Sequence, residues 1–382
     1  MPGRFWFSRR TALLLVAAAT CSNIAWSGHS AWLLPLSLGL PLLLGLCEDR
    51  RTAAAVAAVY FGFALAPCVP GAQAFFEQHS IITAFLLWAA WVAALTSVFT
   101  FIWCREQRWR ALAISGAVIV HAVLPIGLSS PLTSAGILFP GTKFAGVLFT
   151  LALCFVLSAR VWKLAAVTTL ASLIWQARYS PPHPIHNWRA INTSFGGKGS
   201  ELMDPASSFR SLLWISEQAK NSPAQVLLFP ENVLPDYSDA VTGDWLDLWS
   251  IKQQNTTIVF GSARTTVRFG RRENVLLARG ALSGEYVQRV PIPVAMWGRD
   301  TDAHLFGSGT VRIGRERAAV LLCYEQLLVV PVLQSFLDEP NILLAASNLY
   351  WARGTGTDRV QSVCVQAWAR LFGVSFLRAV NQ

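Results

Sequence analysis

The sequence predicts two folding units of different class, a multi-span α-helical membrane half followed by an α/β domain. Residues 11–175 hold long apolar runs with few charges, whereas residues 186–382 have the composition of an ordinary globular domain. Hydrophobic residues make up 53% of the 382-residue chain and charged residues only 14%, unlike the average soluble protein. In the second half, strand-like runs alternate with helical ones, which is typical of the α/β class. We place the membrane domain at 1–178, a proline-rich linker at 179–188 and the α/β domain at 189–382.

Seven apolar stretches predict about seven transmembrane helices, because most are near the ~20 residues that a helix needs to cross the hydrocarbon core. They run over 11–27, 31–47, 53–70, 81–103, 111–127, 136–158 and 161–177. Pro125, Pro131 and Pro140 interrupt the fifth and sixth stretches. The first stretch lacks a clean cleavage site and is followed at once by further apolar runs, so we interpret it as a retained span and not a signal peptide.

The placement of charge predicts the orientation of the chain in the membrane. The net charge is +10, and the basic residues of the first half concentrate in alternate connections. They are Arg4, Arg9, Arg10, Arg50, Arg51, Arg105, Arg108, Arg110, Arg160 and Lys163. The connections that contain 27–30, 71–80 and 128–135 have no Lys or Arg in those segments. Because cytoplasmic loops carry the excess of Lys and Arg, we expect a cytoplasmic N-terminus. An odd number of crossings then places the α/β domain on the opposite side of the membrane, which for a bacterial inner membrane is the periplasm.

The excess of Lys and Arg over Asp and Glu does not indicate nucleic-acid binding, because the α/β half shows no stripe of Lys and Arg with interleaved aromatic residues. Membrane lipids are the partner that the apolar half predicts. No glycine-rich phosphate loop follows a strand and no cysteine pair has metal-type spacing, so we predict neither a cofactor nor a metal.

The second half has a strand and helix order that can be read from its apolar runs. Strands are predicted at 189–194, 226–229, 257–261, 274–279, 285–292, 318–322, 342–347 and 374–380. Helices are predicted at 205–220, 243–254, 326–338 and 358–372. Asp204 as N-cap and Pro205 in the first turn favour a helix start there.

A carboxylate and a thiol each follow a predicted strand. The strand 226–229 leads into Glu231, and the strand 318–322 leads into Cys323. Catalytic groups of α/β sheets gather beyond the carboxyl ends of the strands. A thiol becomes a nucleophile when a nearby base removes its proton, so Glu231 is a candidate base and Cys323 a candidate nucleophile. The alternatives for Cys323 are a buried structural thiol or a disulfide with Cys364 in an oxidising compartment.

Four motifs in order resemble the carbon–nitrogen hydrolase (nitrilase) superfamily. They are FPENVLPDY at 229–237, LLCYEQ at 321–326, SNLYW at 347–351 and LRAVN at 377–381. Several spans followed by such a domain are similar to its apolipoprotein N-acyltransferase branch. The chain length, VPIPVAMW at 290–297 and the ending RAVNQ most resemble a group of plasmid conjugal transfer proteins within this superfamily. The resemblance implies a four-layer αββα sandwich, a Glu–Lys–Cys triad, and other proteins of the mating apparatus as partners.

The resemblance assigns roles to particular residues of this chain. Glu231 matches the general base and Cys323 the nucleophile. The positions that match the substrate pocket are Gln288, Tyr324, Glu325, Asn348 and Trp351.

The chain departs from the family pattern in three places. Gln288 occupies the position of the triad lysine, and Met296 or a neighbour occupies that of a further glutamate in the acyltransferase branch. The neighbouring Arg289 carries a charge, but on an extended chain its side chain should point to the opposite face. The third departure is the ending at Gln382, ahead of further strands in the family, so we expect a C-terminally shortened sandwich.

Three functions stay open on the sequence. The favoured one is an integral membrane protein of plasmid conjugal transfer that keeps the nitrilase-like frame, with the missing lysine putting its catalytic competence in doubt. The alternative is a Cys-dependent N-acyltransferase or amidase that acts on a lipid acyl donor or on a periplasmic amine or amide. The third is a membrane-anchored α/β domain of unrelated purpose.

Overall fold

The computed structural model divides the chain into two compact units. It describes residues 8–76, 81–195, 205–234, 255–265, 271–297 and 301–382. One unit takes the chain up to Ser180 together with Gly354–Gly373, and the other takes Pro181–Arg353 together with Val374–Gln382. The helix predicted at 243–254 and the N-cap Asp204 lie outside the described residues.

The first unit is helical throughout the residues described. Its α-helices are Arg9–Ala25, Gly39–Leu46, Arg50–Ala64, Cys68–Phe75, Ile81–Ile102, Gln107–Val123, Ala135–Leu138, Phe144–Ser158, Trp162–Arg178 and Thr357–Phe372, and its 3-10 helices are Ala31–Leu38 and Pro131–Ser134. Each of the seven predicted apolar stretches therefore contains helix. Side-chain caps fix two of the starts: Ser8 accepts from the Thr11 N–H (3.1 Å) and Asp49 from the Thr52 N–H (2.9 Å).

Few of the described helices are long enough to cross a bilayer alone. Ile81–Ile102 has the required length and apolar character, and the pair Arg50–Ala64 and Cys68–Phe75, bent by 55°, would make a second span if it crosses as one element. The sixth predicted stretch is divided near Pro140 into Ala135–Leu138 and Phe144–Ser158. Helix length by itself thus supports one or two spans, fewer than the seven that hydropathy predicts.

The helix Thr357–Phe372 packs within the first unit, although it comes between two strands of the second in chain order. Its backbone approaches Gly136 so closely that a Cβ there would lie 1.7 Å from the Ala367 carbonyl oxygen. At its C-terminal end, the N–H of Lys143 donates to the Leu371 carbonyl (2.9 Å). Such a bond satisfies a carbonyl that has no partner inside the helix.

The second unit contains two mixed β-sheets. The strands are β1 Trp188–Ala190, β2 Val226–Leu228, β3 Thr257–Thr265, β4 Arg272–Gly280, β5 Gly284–Val287, β6 Thr310–Ile313, β7 Glu316–Leu322, β8 Ile342–Asn348 and β9 Ser375–Asn381. The first sheet has the order β1-β2-β3-β4-β5 and the second β6-β7-β8-β9. Strands β1 to β3 and β7 to β9 run parallel, and the remaining pairs are antiparallel. The sequence did not predict β6, a short strand interrupted by a charge.

The two sheets face each other across an apolar core. In β2, Val226 and Leu228 point towards residues of the second sheet, whereas Leu227 points to the helix Pro205–Asn221 on the outer face. The helix Val329–Phe336 packs against β7. This alternation follows from the two-residue period of a strand, and it explains why these strands are apolar on both faces. The predicted α/β class of this half is confirmed.

Candidate active site

The carboxyl ends of three parallel strands bring the predicted acid and thiol together. Glu231 follows β2, Cys323 follows β7 and Asn348 ends β8. The Cys323 thiol donates a hydrogen bond to the Glu231 carboxylate. The backbone N–H of Asn348 donates to Glu231 Oε2 (3.0 Å). The two strand tips therefore meet, as their positions in the sequence predicted.

Glu231 is a buried carboxylate that titrates near neutral pH. Its exposed fraction is 4%. Burial raises its pKa to about 7, the hydrogen bonds from the Asn348 N–H and the Cys323 thiol oppose the rise, and the charge of Glu325 adds to it. A base with a pKa near the working pH is present in both protonation states, which suits it to take and return a proton.

A glycine allows Glu231 to approach the first sheet. The N–H of Gly261, in β3, donates to the Pro230 carbonyl (3.0 Å). A Cβ on Gly261 would lie 2.4 Å from the Glu231 Cα, closer than any side chain permits. The loop after β2 is thus seated on β3 at a point where only glycine fits.

Cys323 has a backbone conformation that L-residues rarely adopt. Its φ is 45°, in the left-handed region, at the sharp turn between β7 and the 3-10 helix Cys323–Leu327. Strain of this kind costs about 1–3 kcal/mol and concentrates at functional sites. Cys323 packs with Leu349 and Val380, and the predicted pocket residue Trp351 lies against the same cluster. Among the described residues no disulfide joins Cys323 to Cys364, so the structure does not support the alternative of a disulfide between them.

Gln288, which occupies the sequence position that the resemblance assigns to the lysine, lies close to Glu231. Its side chain is 1% exposed. Its Nε2 donates to the Leu322 carbonyl (3.3 Å), and its Oε1 accepts from Asn274 Nδ2 (2.9 Å). Asn274 Nδ2 also donates to Glu231 Oε1 (3.1 Å), so one amide links Glu231 to Gln288. Sequence reasoning missed Asn274, although an asparagine inside an apolar strand was a signal.

Arg289 brings its charge to a different cluster. It is fully buried, and its Nε lies 3.9 Å from Glu325 Oε1 and donates to the Tyr286 hydroxyl (3.1 Å). Its Nη2 donates to Ser335 Oγ (2.7 Å). The guanidinium therefore points away from the partners of Gln288, as the alternation of an extended chain predicts.

Glu325 holds several chain segments together. It accepts hydrogen bonds from the Tyr286 hydroxyl (2.7 and 2.9 Å) and from the N–H groups of Arg289 (2.8 Å), Val290 (3.1 Å) and Leu322 (2.8 Å). Burial and the charge of Glu325 raise the pKa of Tyr286, which keeps that hydroxyl protonated as a donor. Both carboxylate oxygens are occupied by these bonds, and contact between Glu325 and a substrate stays a prediction.

The remaining predicted pocket residues lie near Cys323 and Glu231. The side chain of Asn348 accepts a hydrogen bond from Asn381 Nδ2 (2.9 Å), and its carbonyl accepts from Trp351 Nε1 (3.0 Å). Asn381 in turn accepts from the Thr193 hydroxyl (2.7 Å). Tyr324 is buried in the turn that follows Cys323.

Comparisons with known proteins agree over nearly the whole chain. The chain is 30% identical over 387 residues to a probable conjugal transfer protein TraB of Sinorhizobium fredii, covering 97% of both chains. It is 30% identical over 401 residues to the conjugal transfer protein TraB of Agrobacterium fabrum, covering 97% of this chain and 93% of that one. No protein-family model matches.

Solved structures to which the chain is similar include two carbon–nitrogen hydrolases. One is a carbon–nitrogen hydrolase of Helicobacter pylori, with a TM-score of 0.32 and 11% identity; the match covers 42% of this chain and 58% of that one. The other is an amidase of Nesterenkonia from the nitrilase superfamily, with a TM-score of 0.33 and 14% identity; the match covers 45% and 68%. The near full-length similarity to two curated relatives decides the family. The chain belongs to the TraB family of conjugal transfer proteins.

Proposed function

We propose that the chain is an integral inner-membrane component of plasmid conjugal transfer whose periplasmic, nitrilase-like domain carries a Glu–Cys acyl-transfer site. The single observation that carries the chemical part is the hydrogen bond between the Cys323 thiol and the buried Glu231 carboxylate. The names of the relatives support the part in conjugal transfer, with other proteins of the mating apparatus as partners.

Exposed apolar side chains support membrane integration. Large hydrophobic residues on the surface of the helices include Leu13 (70% exposed) and Phe101 (77% exposed). Others on these helices are Val16, Ile82, Leu86, Leu148, Val167 and Leu170. Soluble proteins rarely expose apolar surface on this scale, whereas a hydrocarbon environment solvates it without cost. Together with the basic residues in alternate connections, this favours several crossings with a cytoplasmic N-terminus.

The proposed reaction proceeds through a thioester. Glu231 takes the thiol proton, and the Cys323 sulfur attacks the carbonyl carbon of an ester or amide. The C–S bond forms, the bond to the leaving oxygen or nitrogen breaks, and the leaving group takes the proton from Glu231. An amine or water then attacks the thioester and releases the thiol. A lipid acyl donor is the substrate that the membrane half would supply.

Among the described residues, uncharged Gln288 occupies the position where the resemblance to the carbon–nitrogen hydrolases implies a lysine. Gln288 can donate a hydrogen bond to a developing oxyanion but adds no charge, and the charge of Arg289 is taken up by Glu325. Loss of one oxyanion donor typically costs ~10²–10³ in rate. We therefore propose slow acyl transfer at this site.

The presence of Gln288 in place of a lysine also favours a second candidate function, a domain that binds other proteins or supports assembly without catalysing a reaction. In that case the Glu231–Cys323 pair would be retained for packing, and its removal would leave transfer intact.

Plasmid transfer by complemented deletion strains separates the two candidates. Cells that lack the chain receive the unchanged protein, Cys323→Ala or Glu231→Gln, at matched protein levels in the membrane. The acyl-transfer proposal expects both variants to fail to restore transfer. Full transfer by both would refute it and leave the assembly role. A reporter that is active only in the periplasm, fused after residue 190, tests the orientation, and an inactive fusion at normal protein levels would overturn it.

A further inference from the structure

The basic connections of the first unit converge on the end of one helix. Arg110 Nη1 donates to the Gly45 carbonyl (3.2 Å), and Arg160 Nη2 donates to the same oxygen (2.7 Å). Gly45 lies in the last turn of Gly39–Leu46, whose final carbonyls have no partner within the helix. Two arginines that are far apart in the sequence thus bind the negative end of one helix dipole.

Two further connections join at the same end. Arg10 Nη2 donates to the Leu46 carbonyl (3.0 Å), at the end of that helix. Arg50 Nη2 donates to the Trp103 carbonyl (3.1 Å), which follows the helix Ile81–Ile102. Each of the four basic connections therefore sends one arginine to backbone carbonyls at this end of the unit.

Because each basic connection is bound at this end, the other basic side chains of these connections lie at the same end of the unit. The exposed ones in these connections are Arg9, Arg51, Arg105, Arg108 and Lys163. The acidic residues there are fewer, namely Glu48, Asp49 and Glu106. This end of the unit consequently carries a net positive surface.

Aromatic and aliphatic side chains border the positive surface. Trp109 and Trp162 are each 53% exposed, and the Arg108 guanidinium lies 5.8 Å from the centre of the Trp109 ring. Leu112 and Leu164 follow them on the same helices and are also exposed. Tryptophan next to basic residues, with aliphatic residues beyond, is typical of the membrane–water interface. A nucleic-acid surface would not continue into exposed leucines.

We propose that this surface, formed by Arg51, Arg105 and Arg108 with their neighbours Trp109 and Trp162, binds the phosphate groups of anionic phospholipids. The proposal rests on the membrane integration proposed above. Guanidinium groups pair with phosphate oxygens, and the tryptophans lie at headgroup depth. A cationic residue near an anionic leaflet strengthens binding about fivefold.

Lipid retention by the full-length protein tests the surface. The protein is purified in mixed micelles with equal amounts of phosphatidylglycerol and phosphatidylethanolamine, and the bound lipids are counted by native mass spectrometry. We expect phosphatidylglycerol to be enriched on the unchanged protein. The triple change of Arg51, Arg105 and Arg108 to Gln should lower that enrichment at least fivefold. The same three positions changed to Lys should restore most of it.

A matched control removes the same charge elsewhere. Arg189, Arg312 and Arg315 are exposed in the second unit, and changing all three to Gln should leave the enrichment unchanged. The proposal would be overturned if the variant with Arg51, Arg105 and Arg108 changed to Gln retained as much phosphatidylglycerol as the unchanged protein. It would also be overturned if the control variant lost as much phosphatidylglycerol as that variant. Displacement of phosphatidylglycerol by a single-stranded oligonucleotide, with the same sensitivity to the triple change, would also overturn it in favour of nucleic acid. If alkaline extraction released the protein from membranes, membrane integration itself would fail, which is a separate result.

Discussion

The pH dependence of Cys323 alkylation gives a direct reading of its coupling to Glu231. With the pKa of Glu231 at about 7, the ionised fraction rises from about one-tenth at pH 6 to about nine-tenths at pH 8. The alkylation rate should therefore rise roughly tenfold over these two units and then level off. In Glu231→Gln the step near pH 7 should disappear, leaving only the pH dependence of the thiol's own ionisation.

Peptide mass spectrometry after timed iodoacetamide treatment resolves Cys323 from the six other cysteines. The matched control is Glu339→Gln, which neutralises an exposed carboxylate and should leave the pH profile unchanged. A step near pH 7 that persists in Glu231→Gln would refute the coupling.

Stability provides an independent measurement of the same group. Folding raises the pKa of Glu231 from 4.5 to about 7, so the folded state favours the protonated carboxyl. The contribution of this group to the free energy of unfolding is therefore fully present below pH 4.5 and is lost as the pH rises through 7. The shift corresponds to about 3 kcal/mol as an upper limit, since one pKa unit is ~1.4 kcal/mol. Thermal unfolding of Glu231→Gln should show a correspondingly flatter pH profile over this range than the unchanged protein.

Substitutions at Gly261, Glu325 and Gln288 test the surroundings of the pair, with Gly116→Ala and Gln288→Met as controls. Gly261→Ala should cost about 1–3 kcal/mol in the free energy of unfolding and slow Cys323 alkylation. Gly116→Ala, where a Cβ meets nothing within 4 Å, should not destabilise the fold by thermal melting. Glu325→Gln should cost about 3–5 kcal/mol by denaturant titration, because it leaves Arg289 buried without its carboxylate, and an unchanged midpoint would contradict that reading. Gln288→Lys should speed thioester formation from an activated ester ~10-fold or more, whereas Gln288→Met should not. An equal rate in both would show that charge is not what limits the site.

Local pattern was enough to predict most of the α/β half. The strand β8 is an uninterrupted apolar run because it is buried on both faces, and β2 and β7 are recognisable for the same reason. Glu231 and Cys323 could be selected because they directly follow two such strands.

The residues that surround Glu231 and Cys323 are brought there by contacts between segments far apart in the chain, which local sequence pattern does not encode. Antiparallel pairing of β4 with β5 matches Val275 to Val287, and this register places Asn274 beside Gln288. The buried pair of Arg289 and Glu325 likewise joins two separate segments, since Arg289 follows β5 and Glu325 lies in the 3-10 helix after β7. No periodicity within either strand reveals such neighbours.

The helix Thr357–Phe372 shows a different limit. Its position between β8 and β9 predicts an ordinary crossover helix of the sheet, yet it packs within the first unit. The sequence could have indicated this, because apolar residues occur on more than one face of the helix. Val363, Cys364, Val365 and Trp368 are all buried.

Formation of a thioester at Cys323 tests the central claim most directly. The full-length protein in phospholipid micelles would be digested and searched by mass spectrometry for an acyl group on the Cys323 peptide that hydroxylamine removes. The Glu–Cys account predicts this adduct on the unchanged protein and its loss in Glu231→Gln. A folded protein that never acquires it, or that acquires it equally well in Glu231→Gln, would contradict the account.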